Sequence, residues 1–191
     1  MNKLVFIDHQ IFDFMNSFAG QNYILDRIFS ITAFYFVYSV PVILLFCWFY
    51  SDDLKKASFK AFFAGMLAWF GVSNLVGSLY FRPRPFIADE QIKELLFHRP
   101  DRSFPSDHAA LLFAIAFTFW FLGYRKLGLG FFAISVAVVI MRIVVGIHYP
   151  ADVAAGTLIG LAMAVLVLIL NKQLDHLVAP IIRIAKKVKL G

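Results

Sequence analysis

Residues 127–170 of this chain read LGLGFFAISVAVVIMRIVVGIHYPADVAAGTLIGLAMAVLVLIL. Two apolar runs, 127–147 and 151–170, are separated only by a short segment that contains a proline. A helix needs about twenty apolar residues to cross the hydrocarbon core of a bilayer. The pattern therefore predicts two membrane-spanning helices joined by a tight turn.

The rest of the chain has the same apolar character. Of its 191 residues, 61% are hydrophobic and only 16% are charged, whereas about a quarter of a soluble domain is charged. Three further apolar runs, 24–50, 59–81 and 107–122, bring the expected number of spans to five, and Pro41 is expected to kink the first. We predict an all-α polytopic membrane helix bundle that forms one domain, residues 1–191.

The N-terminal segment 4–18 differs from the spans, because apolar side chains recur in it at helical spacing among polar ones. The apolar positions are Ile7, Ile11, Phe14 and Phe18. A helix of this kind lies in the membrane interface with its apolar side in the lipid. We expect an N-terminal interfacial amphipathic helix, and a helix packed as in a soluble protein is the alternative.

Basic residues indicate the orientation of the bundle. They lie between spans one and two, between spans three and four, and after span five: Lys55, Lys56, Lys60, Arg125, Lys126, Lys172, Arg183, Lys186, Lys187 and Lys189. The positive-inside rule makes these regions and the C-terminus cytoplasmic, and it places the segments 82–106 and 146–151 outside. The cations are scattered among apolar segments, so the net charge of +6 does not indicate a nucleic-acid partner.

Polar residues at the outer ends of the spans have the chemistry that phosphoryl transfer requires. Arg84 and Arg142 offer permanently charged forks that match phosphate oxygens. Ser106 precedes the third span, where it can cap the helix and leave first-turn amide groups facing an anion.

Three further residues supply a nucleophile and an acid. His148 and Asp152 straddle a proline at a predicted helix start, so the carboxylate can return toward the imidazole. A carboxylate that holds one ring nitrogen leaves the other free to attack. His108, in the first turn of the neighbouring helix, can protonate the departing oxygen.

The same residues allow two other interpretations. His108, Asp107, His148 and Asp152 could form a metal site, but the two arginines nearby would repel a divalent cation, so no metal or other cofactor is expected. A small transporter or channel is the non-enzymatic alternative. It predicts polar residues along several spans, and few are present besides Asn74.

These residues resemble the three signature motifs of the type 2 phosphatidic acid phosphatase superfamily of membrane phosphatases. The matching positions are Arg84 and Pro85, then Ser106 and His108, then Arg142, His148 and Asp152. The chain departs from the family pattern twice: the usual lysine falls on Gly77 and the usual glycine on Asp107. Arg82 is the expected substitute cation. Asp107 is placed with Arg82 on the substrate-binding side, its carboxylate turned away from phosphate or paired with Arg82 or Arg102.

The variant Pro-Ser-Asp-His at residues 105–108 and the absent lysine are most similar to the bacterial undecaprenyl-diphosphate phosphatases of the bacitracin-resistance type. The resemblance implies that His148 is a nucleophile that forms a phosphohistidine, with Asp152 orienting it and His108 as general acid. It also implies a set of residues that hold the phosphate without a metal ion: Arg84, Ser106 and Arg142.

The same resemblance implies a substrate and a place. A polyprenyl diphosphate lipid would lose its terminal phosphate at the external face of the bacterial cytoplasmic membrane, which recycles the carrier for peptidoglycan synthesis and protects against bacitracin. A phosphatase for phosphatidylglycerophosphate, phosphatidic acid or a wider range of lipids is the alternative. Membrane lipids are the expected partners, and the oligomeric state is left open.

Overall fold

The computed structural model describes residues 3–187, in which regular structure is helical apart from one bridge between Pro83 and Arg102. The helices are α1 (Lys3–Asn16), α2 (Tyr23–Tyr35), α3 (Ser39–Tyr50), α4 (Asp52–Met66), α5 (Asn74–Leu79), α6 (Pro85–Ala88), α7 (Asp107–Phe121), α8 (Arg125–Val144), α9 (Pro150–Ile169) and α10 (Asn171–Lys187). A 3₁₀ segment, Phe36–Tyr38, joins α2 to α3, and a π-helical segment, Leu67–Ser73, joins α4 to α5.

Among residues 3–187, four helical segments are long and apolar enough to cross a membrane: Tyr23–Tyr50, Asp52–Leu79, Arg125–Val144 and Pro150–Ile169. The fifth apolar helix, α7, has 15 residues and lies at the centre of the bundle against α4, α8 and α9. Most of its side chains are buried on all sides, as expected of a helix that is covered by protein rather than lipid. The predicted polytopic membrane helix bundle is confirmed.

The first span is interrupted one turn before the proline that was expected to kink it. The chain tightens into the 3₁₀ segment Phe36–Tyr38, and α3 then continues through Pro41. Proline has no N–H to donate, and its ring presses on the carbonyl group four residues back, which here belongs to Val37. The irregularity therefore appears on the N-terminal side of Pro41.

The second span begins earlier than the sequence predicted. Ser51 caps α4, its Oγ accepting the N–H of Leu54 at 3.3 Å, so Lys55 and Lys60 lie within a helix and not in a connection. Lys60 is buried, and its Nζ donates to Asp175 of α10 at 2.7 Å. The start predicted at residue 59 was wrong because Lys55 and Lys56 indicate a connection in the sequence, whereas a paired charge such as that of Lys55 can be buried in a helix.

Two amphipathic helices flank the bundle. In α1, Ile7, Ile11 and Phe14 are 40%, 45% and 67% exposed, while Asp8 and Phe12 are buried. The apolar side of α1 thus faces outward, where lipid lies in a membrane protein, and Asp8 faces the bundle. The C-terminal helix α10 was not predicted; its buried positions are Leu174, Val178, Ile182 and Ala185.

Two glycines let α9 pack closely against α7. A Cβ atom at Gly156 would lie 2.8 Å from the Cβ of Ala109, and one at Gly160 would lie 2.8 Å from the carbonyl oxygen of Ala110. Any larger residue would push the helices apart. The close approach brings the two helix starts together, so that the N–H of Ser106 donates to the carbonyl oxygen of Asp152 at 3.0 Å.

Candidate active site

His148 lies in the turn between α8 and α9. Gly146, with φ of 86°, reverses the chain just before it in a conformation that favours glycine. The imidazole is buried, and its Nδ1 is 2.9 Å from the carbonyl oxygen of Ser103. A carbonyl oxygen can only accept a hydrogen bond, so Nδ1 carries the hydrogen and Nε2 keeps a lone pair.

Nε2 of His148 faces two guanidinium groups. It lies 3.4 Å from Nη1 of Arg84 and 3.3 Å from Nη2 of Arg142, and both arginines are buried. We call these three side chains the anion cradle, because two permanent positive charges converge on one unprotonated nitrogen. Such an arrangement favours an oxyanion at Nε2.

Each arginine of the anion cradle also donates hydrogen bonds to groups other than His148. Arg84 donates from Nη1 to the carbonyl oxygen of Ile147 at 2.8 Å and from Nε to Asp101 at 2.7 Å. Arg142 donates from Nη1 to the carbonyl oxygen of Ala33 at 3.3 Å. Its buried Nε has no acceptor among the described residues, and an unpaired buried donor is costly. A phosphate oxygen would provide that acceptor.

Asp152 is fully buried at the start of α9. Its Oδ2 accepts the backbone N–H of Tyr149 at 2.8 Å and lies 3.7 Å from Nδ1 of His148. The structure thus places a backbone carbonyl, that of Ser103, closest to the nitrogen that Asp152 was expected to hold. Asp152 fixes the turn that carries the imidazole and adds a negative charge behind it.

Arg82 does not point into the anion cradle. Its Nη1 donates to Asp152 at 2.9 Å and its Nη2 to Asp8 at 2.6 Å. The guanidinium also stacks 3.8 Å above the ring of Tyr149. Asp8 in turn accepts the N–H of Ala151 at 2.8 Å. These contacts tie α1 to the start of α9, a link that the sequence did not indicate.

The start of α7 supplies the remaining predicted residues. Ser106 is buried and caps the helix, its Oγ accepting the N–H of Ala109 at 3.4 Å. His108 packs beside the ring of Trp69 at a centroid distance of 5.6 Å. Asp107 lies 3.5 Å from Nη1 of Arg102, one of its two expected partners.

Burial and charge both favour a neutral His148. Burial lowers the pKa of His148 well below its usual value of 6.5, and the charges of Arg142 and Arg84 lower it further. An unprotonated imidazole is the form that can act as a nucleophile. His98, in the loop before α7, also has a lowered pKa, through burial and then the charge of Arg84.

An apolar cavity of about 320 Å³ has His108 in its lining. Its walls come from α2, the 3₁₀ segment, α3, α4, the π-helical segment and α7: Phe34, Val37, Tyr38, Val40, Pro41, Leu44, Phe62, Met66, Trp69, Leu111 and Ile115. A cavity of this composition suits a hydrocarbon chain. The described residues contain no group of three or more His, Cys, Asp or Glu side chains that could hold a metal ion.

The family sequence model of the PAP2 superfamily matches residues 57–175 of this chain. The chain belongs to the PAP2 superfamily. As a PAP2 protein it is a multi-pass membrane phosphatase, and the resemblance noted in the sequence is confirmed.

Its relatives include two proteins named BcrC. The chain is 33% identical to the bacitracin transport permease protein BcrC of Bacillus licheniformis, over 82% of this chain and 76% of that protein. It is 28% identical to the undecaprenyl-diphosphatase BcrC of Bacillus subtilis (strain 168), over 95% of this chain and 93% of that protein.

Two solved structures share the PAP2 fold. LpxE of Aquifex aeolicus is 26% identical, with a TM-score of 0.72 over 85% of this chain and 94% of that one. A PAP2-type phosphatidylglycerolphosphate phosphatase of Bacillus subtilis is 20% identical, with a TM-score of 0.59 over 91% of this chain and 88% of that one. The second likeness shows the fold alone.

Proposed function

We propose that this PAP2 protein is an undecaprenyl-diphosphate phosphatase that works through a phosphohistidine at His148 and needs no metal ion. The observation that carries the proposal is the position of Nε2 between Arg84 and Arg142 while Nδ1 is held by a carbonyl oxygen. The name of the Bacillus subtilis relative supports a polyprenyl diphosphate as substrate.

The proposed reaction has two displacements at phosphorus. Nonbridging oxygens of the terminal phosphate pair with Arg84 and Arg142, and Nε2 of His148 attacks phosphorus opposite the bridging oxygen. As the P–N bond forms, the P–O bond breaks, and His108 gives a proton to the departing lipid phosphate. Water then attacks the phosphohistidine while His108 takes its proton, which releases phosphate and neutral His148.

The apolar cavity that includes His108 in its lining supports a lipid substrate with a hydrocarbon chain. An acyl chain would fit there as well as a polyprenyl chain. A phosphatase for phosphatidylglycerophosphate, phosphatidic acid or several lipids is therefore the second candidate.

We further propose that the anion cradle faces the outside of a bacterial cytoplasmic membrane and that the C-terminus is cytoplasmic. The distribution of basic residues supports this orientation. An external active site would return the carrier lipid to peptidoglycan synthesis and lower sensitivity to bacitracin.

Phosphate release by the purified protein tests the substrate. With EDTA present, kcat/KM for undecaprenyl diphosphate is expected to exceed the values for phosphatidylglycerophosphate and phosphatidic acid by at least about tenfold, because discrimination arises from differential transition-state binding. Faster turnover of either phospholipid would favour the second candidate. Complete loss of activity in EDTA, restored by a divalent metal, would contradict a metal-independent reaction.

The pH dependence of kcat/KM tests the protonation state of His148. The nucleophile must be neutral, and its lowered pKa keeps it neutral until the pH falls well below 6.5. The acidic limb of kcat/KM should therefore lie well below pH 6.5. In Arg84→Gln one of the charges that lower this pKa is gone, so the acidic limb should move to higher pH. An acidic limb near pH 6.5 in the wild type would contradict this assignment.

A further inference from the structure

The side chain of Arg102 lies across Gly77. A Cβ atom at Gly77 would be 2.5 Å from Cδ and from Cζ of Arg102, closer than side chains pack. The glycine therefore leaves the room that the arginine occupies. Gly77 is also the position on which the lysine of the first motif falls, so an arginine from the external loop stands where that lysine would begin.

Two side chains hold the guanidinium of Arg102. Its Nη2 donates to Oδ1 of Asn74, and its Nη1 lies 3.5 Å from Oδ1 of Asp107. A guanidinium has five N–H donors, so donors remain for a further acceptor. The side chains of Arg102 and Asp107 are 19% and 28% exposed, which leaves them accessible to a ligand.

Asp107 connects Arg102 to the anion cradle. It follows Ser106 in the first turn of α7. The backbone of Arg102 pairs with that of Pro83, the neighbour of Arg84, and the next residue, Ser103, places its carbonyl oxygen 2.9 Å from Nδ1 of His148. A carboxylate near a bound phosphate would repel it unless a cation accompanies that carboxylate. The pair with Arg102 offsets this repulsion.

Arg82, the other candidate for this role, is already paired with two carboxylates. Both of its Nη atoms donate to carboxylates, those of Asp152 and Asp8. Its charge is thus balanced within the bundle.

We propose that Arg102, held by Asn74 and Asp107, binds the substrate phosphate in place of the lysine that is absent at Gly77. Asp107 is then a positioning residue for Arg102. The assignment rests on the proposed function, since it takes phosphate as the ligand of the anion cradle.

The test removes the cation at residue 102 and introduces a lysine at residue 77, where the family has its lysine. Arg102→Ala is expected to lower kcat/KM for undecaprenyl diphosphate by about 10- to 100-fold, because a charge-assisted phosphate contact is lost. In Gly77→Lys/Arg102→Ala the lysine enters the room left by the arginine, and most of the lost activity should return. Gly77→Lys alone should be impaired, because its side chain collides with Arg102. Arg99→Ala, which removes an exposed arginine of the same loop, is the matched control and should remain fully active.

Phosphate binding is measured separately, as the rise in unfolding temperature that inorganic phosphate gives each variant. The rise should be smaller in Arg102→Ala than in the wild type and should return in the double variant. Arg102→Lys, which keeps a cation in place, should retain more activity and a larger rise than Arg102→Gln.

Several results would overturn the assignment. They are wild-type turnover in Arg102→Ala, a loss of turnover with an unchanged phosphate-induced rise, and equal losses in Arg102→Lys and Arg102→Gln. A wild type that does not hydrolyse undecaprenyl diphosphate but shows the expected pattern of phosphate-induced stabilisation would instead overturn the proposed function and leave the role of Arg102 supported.

Discussion

His148→Ala is expected to abolish phosphate release from undecaprenyl diphosphate, with kcat lowered by at least about 10³-fold, because the variant lacks the imidazole that is proposed to form the covalent intermediate. The reason lies in the geometry of the turn: Nε2 is the nitrogen that faces Arg84 and Arg142, while Nδ1 is bound to the carbonyl oxygen of Ser103. Alanine at position 148 cannot accept the phosphoryl group, so the diphosphate could be cleaved only by direct attack of water.

Two measurements check this expectation. Steady-state phosphate release gives the loss of kcat, and rapid denaturation during turnover of substrate labelled in its terminal phosphate should trap label on the wild-type protein but not on the variant. His176→Ala is the matched control, since this imidazole is exposed on α10. Turnover by His148→Ala at the wild-type rate would refute the assigned nucleophile.

Arg142→Ala is expected to lower kcat/KM by about 10²- to 10³-fold. The guanidinium is buried with Nη2 3.3 Å from Nε2 of His148, and its Nε has no acceptor among the described residues. Charge that develops on phosphate oxygens in the transition state loses a preorganised donor when this side chain is removed, and one such donor is worth about that factor.

The comparison with Arg125→Ala separates the local effect from a general loss of cations. Arg125 begins the same helix, α8, and lies over the ring of Trp120 at the opposite end of the bundle. Its substitution should leave kcat/KM near the wild-type value. A similar loss in both variants, or a loss in Arg142→Ala that matches a fall in the fraction of folded protein, would contradict a role in phosphate binding.

The five apolar helices and the end of the bundle that carries the site could be predicted from the sequence for a simple reason. Apolar runs of membrane length define spans, and polar residues at the ends of those runs are few enough to stand out. Gly146 and Pro150 indicate a turn in the sequence, and this turn places His148 beside Arg142.

The remaining parts of the site have no local signal. A backbone carbonyl such as that of Ser103 leaves no mark in the sequence, because any residue could supply it. Arg82 and Arg102 lie in one loop with the same charge, and only three-dimensional packing shows that the first pairs with Asp8 and Asp152 while the second crosses Gly77. Tertiary contacts, not residue types, separate the roles of two identical side chains.

Asp8 belongs to α1, which precedes the region 57–175 that the family model covers, yet it joins Arg82 to the N–H of Ala151 in the first turn of α9. A hybrid enzyme that combined this core with the leading helix of a relative would lack that brace unless the graft carried an acid at the same turn. Exchange of modules between such proteins therefore has to treat the leading helix as part of the catalytic end, although none of the signature residues lies in it.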